Sequence, residues 1–144
     1  MKKFYFALFT IVLLAGSCSK DSKKGCTDST ASNYDAAAEE DCCCTYKGRV
    51  LFYFNKATSD RLIANQSNSL LFYIGNTKVG TFSSANFFNG EPICGTDKTM
   101  TIEQDLGDSK SKTLDYMIVD EVGRTIWTGK QEWKGGTCTG VELK

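Results

Sequence analysis

Arg49-Val50-Leu51-Phe52-Tyr53-Phe54-Asn55 is the stretch whose reading decides the fold. In an extended chain Val50, Phe52 and Phe54 share one face, and Leu51 and Tyr53 share the other. Both faces are apolar, so the strand is expected at the centre of a sheet and covered on both sides. Residues downstream continue in the same idiom. Segments 70–74 and 78–82 flank Gly75-Asn76-Thr77, which reads as a hairpin. Segment 98–104 alternates, with Met100 and Ile102 inward. Residues 106–112 read as a polar turn. Segments 113–120 and 124–134 pair across Glu121-Val122-Gly123, and Gly135-Gly136 turns the chain into a last strand at 137–143. One helical turn is expected at 59–64, capped by Ser59 or Asp60. The sum is about seven short strands, which predicts an antiparallel β-sandwich, with a small barrel as the alternative.

Composition agrees with a β protein. Among 144 residues there are 13 Gly, one Pro, two Trp, six Tyr and nine Phe. The chain has no histidine, which removes a Ser-His-Asp triad, a Cys-His pair and His-ligated zinc. The expectation is a protein that is not an enzyme, with a carboxylate-dependent hydrolase as the remaining catalytic option. No P-loop, nucleophile elbow or dinucleotide fingerprint occurs.

The first residues have the design of a signal peptide. Lys2 and Lys3 precede an uncharged apolar run at 4–14, followed by Ala15-Gly16-Ser17-Cys18. Eleven apolar residues are too few to span a bilayer, which takes roughly 20. Without residues 1–17 the chain carries 15 basic and 17 acidic groups, a net charge of −2. There is thus no basic excess for nucleic acid or for anionic lipid. The division expected is signal peptide 1–17, tether 18–24, a cysteine-bracketed acidic segment 25–46 and a sandwich domain 47–144.

Leu13-Leu14-Ala15-Gly16-Ser17-Cys18 resembles the lipobox of bacterial lipoproteins, although Leu14 stands one place earlier than the family's leucine. The resemblance implies cleavage before Cys18 and acylation of that cysteine, including palmitate. It also implies a lipid-anchored protein of the cell envelope, in the outer membrane of a Gram-negative bacterium. The role expected there is non-catalytic, binding or structural, with an envelope protein or a glycan as partner. The alternative is an accessory subunit of an outer-membrane complex.

Six cysteines follow Cys18: Cys26, Cys42, Cys43, Cys44, Cys94 and Cys138. An even number in an exported chain implies disulfides, and a thiolate metal site is the competing reading. Cys94 and Cys138 are expected to pair, because both lie at strand edges of the one β domain. Gly25, Cys26, Thr27, Asp28, Ala31, Asn33 and Tyr34 resemble the start of a short Gly-Cys-Thr-Asp-x-x-Ala-x-Asn-Tyr repeat of secreted bacterial surface proteins. In that pattern the first and last cysteines pair, which implies Cys26–Cys44. Cys42 and Cys43 are left without an assignment. The segment has little apolar material of its own and is expected to be a stapled module separate from the sandwich core. Asp28, Asn33, Asp35 and Asp41 are candidate calcium ligands, against a solvated acidic loop rich in Asx turns.

Ile74, Gly75, Gly80, Pro92, Cys94, Gly95, Trp127, Gly129 and Cys138 resemble the pattern of small lipoproteins with transthyretin-like or carboxypeptidase-regulatory-like sandwiches. That resemblance implies a fold and no particular activity. Trp127 and Trp133 share a face of one strand, with Tyr116 on its neighbour. They are the candidate ligand-binding aromatics, against a reading in which Trp127 fills the core and Trp133 caps an edge.

Overall fold

The computed structural model describes residues 22–144, so the signal peptide and Cys18 lie outside the described residues. Nine strands and one helix follow in order: β1 (Lys24–Gly25), β2 (Glu40–Asp41), β3 (Tyr46–Tyr53), α1 (Lys56–Ala64), β4 (Ser69–Ile74), β5 (Thr77–Ser83), β6 (Met100–Gly107), β7 (Ser111–Asp120), β8 (Thr125–Lys134) and β9 (Cys138–Glu142). Seven of the strands build a sandwich from a three-stranded sheet, β6-β3-β9, and a four-stranded sheet, β5-β4-β7-β8. All their pairings are antiparallel except β3 with β9, which is parallel. β8 ends and β9 begins at the same end of the sandwich, so the chain crosses between sheets through Gly135 and Gly136 rather than folding back as a hairpin.

That crossing needs glycine. Gly48 and Gly135 form an antiparallel bridge that joins the two sheets at one corner. A Cβ at Gly48 would sit 2.8 Å from the Lys134 carbonyl oxygen, and one at Gly135 would sit 2.6 Å from the Tyr46 ring.

β3 is central, as its two apolar faces require. Val50, Phe52 and Phe54 point between the sheets and are at most 1 % exposed. Phe52 meets Phe72 and Tyr116 at 5.7 and 5.0 Å between ring centroids, and Phe54 meets Phe82 edge-on at 5.8 Å. Leu51 points the other way and is fully buried. Residues 84–99 cross that outer face. They are held by Phe88 N–H to the Phe54 carbonyl, by Gly95 N–H to Thr101 Oγ1, and by the Cys94–Cys138 disulfide. Thr101 and Gly140 are the cross-strand partners of Leu51, and the Glu91 side chain lies over Gly140.

Two local expectations are corrected. The helix starts at Lys56 rather than Ser59, because Asn55 caps it by accepting from Thr58 N–H at 3.0 Å. Ser59 instead donates to the Ser84 carbonyl at 2.6 Å from a buried position. Strand β6 runs on to Gly107, and Leu106, expected in a polar turn, is buried in the core.

The segment ahead of β3 is not separate from the core. Cys26 and Ala31 are buried in the same apolar cluster as Tyr46, Phe52 and Trp133. The segment packs at the end of the sandwich where β7 begins, here called the base. Asp28 bonds there to Lys110 at 2.6 Å and to Tyr46 Oη at 3.0 Å.

Candidate functional site

The opposite, distal end is organised by Asp120. This carboxylate is 1 % exposed and sits where β7 stops. It accepts from Val122 N–H at 3.1 Å, Arg124 N–H at 2.8 Å, Arg124 Nε at 2.5 Å and Ser67 Oγ at 3.2 Å. Burial alone would raise its pKa, but the hydrogen bonds from Arg124, Ser67 and Val122 outweigh it and hold the group below the ordinary carboxylate range. Glu121 receives Asn68 N–H and Ser69 N–H at 3.1 Å each, and its own backbone N–H, then those two, lower its pKa as well. The turn is thus an ionic clamp built on the buried Asp120 carboxylate. It fixes Arg124, which also donates to the Asn65 carbonyl at 2.8 Å, just past the end of α1.

Beside the clamp opens a cavity of about 480 Å³. Its apolar lining comes from Leu62, Ile126 and Trp127, and its cationic lining from Arg61, Arg124 and Lys144. No Asp or Glu side chain lines it. Trp127 is fixed on two sides: its ring stacks on Phe54 at 6.3 Å and 23°, and its Nε1 donates to the Lys144 carbonyl at 2.9 Å. Arg61 has no ion-pair partner among the described residues.

The paired indoles do not form a platform. Trp127 and Trp133 do share a face of β8, but that face is the interior. Trp133 is completely buried and donates from Nε1 to the Ile102 carbonyl at 3.3 Å, so it is closed to a ligand. It lies near the base, six residues or roughly 20 Å along the strand from Trp127. Tyr116 lies across Gly129, where a Cβ would come within 2.7 Å of the phenol, and packs on Phe52. It reaches a shallower 390 Å³ depression with Asp115 and Lys130.

The calcium candidates do not converge. Asp28 accepts Thr30 N–H and Oγ1 on one oxygen and Lys110 and Tyr46 on the other. Asp35 pairs with Lys23 at 2.7 Å and accepts Ala37 N–H. Asp41 binds Thr27 N–H and Oγ1, and Asn33 bridges Thr45 N–H and the Cys43 carbonyl. Each group ties together a different piece of the loop. The one cluster of three ligand-type residues among those described is Cys26, Asp41 and Cys44, and its two sulfurs are joined as a disulfide. All six described cysteines are paired: Cys26–Cys44 and Cys94–Cys138 as expected, and Cys42 with Cys43.

Sequence reading missed the cationic set of the distal cavity. Arg61, Arg124 and Lys144 lie on a helix, after a turn and past the last strand, so no spacing motif connects them. No family model, curated protein or solved structure matches this chain.

Proposed function

We propose that this protein is an exported lipoprotein of the cell envelope, anchored through acylated Cys18, whose sandwich binds a partner without catalysis. The observation that carries the reading is the signal design ending at Cys18, followed by six cysteines that all pair as disulfides. Such pairing needs an oxidising compartment such as a bacterial periplasm or cell surface. The outer membrane of a Gram-negative bacterium is the location this reading takes. Geometry supports a binding role. The described chain enters at the base, where Lys23 pairs with Asp35, and the cavity lies at the distal end. A body tethered at its base presents that cavity away from the membrane. Apolar side chains and cations line that cavity, which suits binding. Asp120 and Glu121 are both held ionised by hydrogen bonds that the fold needs.

An accessory-subunit role has one observation in its favour. On the outer face of the four-stranded sheet, Leu71 and Tyr73 of β4 lie beside Met117 of β7, all only partly covered. Pull-down from native membranes checks that reading.

The test of the anchor is Cys18→Ser. Metabolic labelling with palmitate is expected to mark the wild type and not the variant, and the variant is expected to leave the membrane fraction. One acyl chain binds only marginally, so stable partitioning of the wild type implies more than one. A variant that still partitions with the membrane would overturn the lipoprotein reading.

A further inference from the structure

We propose that the distal cavity binds a carboxylated sugar ring, as in a uronic-acid-containing glycan. This rests on the reading of the sandwich as a binding domain and names the ligand class of that site. Its volume, about 480 Å³, falls in the range of ligand pockets. Two chemistries meet there. The wall of Leu62, Ile126 and Trp127 asks for an apolar, flat surface, such as the C–H face of a pyranose. Arg61, Arg124 and Lys144 ask for an anion. The positive lining is not a consequence of composition, because the chain beyond its signal peptide carries two more acidic than basic groups.

A bare inorganic anion would leave the apolar wall wet, and a neutral sugar would leave the Arg61 guanidinium unanswered. A ring that carries a carboxylate answers both. Arg61 is the cation free to meet it, since Arg124 is engaged by Asp120 and Lys144 by Glu142 at 3.0 Å. A guanidinium meets a carboxylate through two parallel hydrogen bonds. Asn65 and Thr125 supply polar groups at the rim for ring hydroxyls. The site is also preorganised. Trp127 is held by Phe54 and by the Lys144 carbonyl, and Arg124 by Asp120, Ser67 and Asn65, so little ordering is left for the ligand to impose.

The experiment titrates the purified mature protein with trigalacturonate, maltotriose and triglutamate, read by tryptophan fluorescence and calorimetry. Trp133 is buried, so Trp127 reports on the cavity. Trigalacturonate is expected to bind and to change the emission, with affinity that falls as salt rises. Maltotriose is expected to bind at least about tenfold more weakly, and Arg61→Gln to weaken trigalacturonate by about tenfold. Arg61 is exposed, so its variant is expected to keep the wild-type melting midpoint. Trp127→Phe is expected to weaken binding and abolish the emission change. Equal binding of maltotriose, tighter binding of triglutamate, or indifference to Arg61→Gln would overturn the assignment while leaving a binding domain in place. Absence of binding to all three at millimolar concentration would overturn it as well. The Cys18→Ser fractionation is independent of these outcomes, so failure here and failure of the lipoprotein reading are separable.

Discussion

At the scale of single residues, several side chains are fixed by what lies across from them. Gly129 has Tyr116 above it, with no room for a Cβ. Gly129→Ala is expected to lower stability by about 1–3 kcal/mol, as overpacking does, and Tyr116→Ala in the same chain to return part of that loss. Thermal melts of the two single variants and the double variant measure it. Asp28 gives the chain a dependence on pH. The Lys110 ammonium, then Thr30 N–H and Oγ1, then Tyr46 Oη hold its pKa well below the ordinary value. A carboxylate whose folded pKa is depressed contributes stability above its unfolded pKa, about 3.9, and loses that contribution as pH falls through the folded value. Asp35 and Asp41 are shifted the same way. The opposite sign applies to Lys110, raised chiefly by its hydrogen bond to Asp28, and to Tyr46, raised by burial and then by Asp28. Their contribution is present below about pH 10 and is lost above it. Amide exchange across residues 25–44 is therefore expected to quicken both below about pH 4 and above about pH 10. Asp28→Asn is expected to remove most of the acid limb.

At the scale of elements, the docked N-terminal segment matters most. Cys26 and Ala31 help to bury Tyr46, which is 3 % exposed. A chain of residues 45–144 is expected to fold, since β3 to β9 keep both sheets. Its melting midpoint is expected to fall by about 10 °C, taking about 2 kcal/mol for the apolar cover lost over Tyr46. Differential scanning calorimetry of the two chains checks this, and an unchanged midpoint would count against the docking. The helix offers a smaller lever. Asn55→Ala removes the acceptor for Thr58 N–H and is expected to cost about 1 kcal/mol, measured by urea denaturation.

At the scale of the molecule, the Cys94–Cys138 bridge straps residues 84–99 onto the outer face of the three-stranded sheet, over a sequence separation of 44. The chain-entropy picture gives such a closure about 4 kcal/mol. Replacing both cysteines by Ala is expected to lower stability by an amount of that order, and non-reducing peptide mapping of the wild type checks the pairing itself. The sequence by itself determined the class of the fold. Two apolar faces on residues 49–55 require a covered central strand, and period-two alternation with glycine turns requires sheets. Six cysteines in an exported chain point to disulfides. Alternation also put Trp127 and Trp133 on one face, but a repeat of two does not say which face meets the core. That was decided when β8 closed the edge of its sheet with both indoles inward. The acidic loop left a cation site open beside the solvated loop, because carboxylates near in sequence carry no record of where they point. Only the folded chain turned Asp28 toward Lys110, 82 positions further on. The distal cavity belongs wholly to the tertiary structure: its cations come from three distant places, and it took a buried Asp120 to hold one of them and the last residue to bring another.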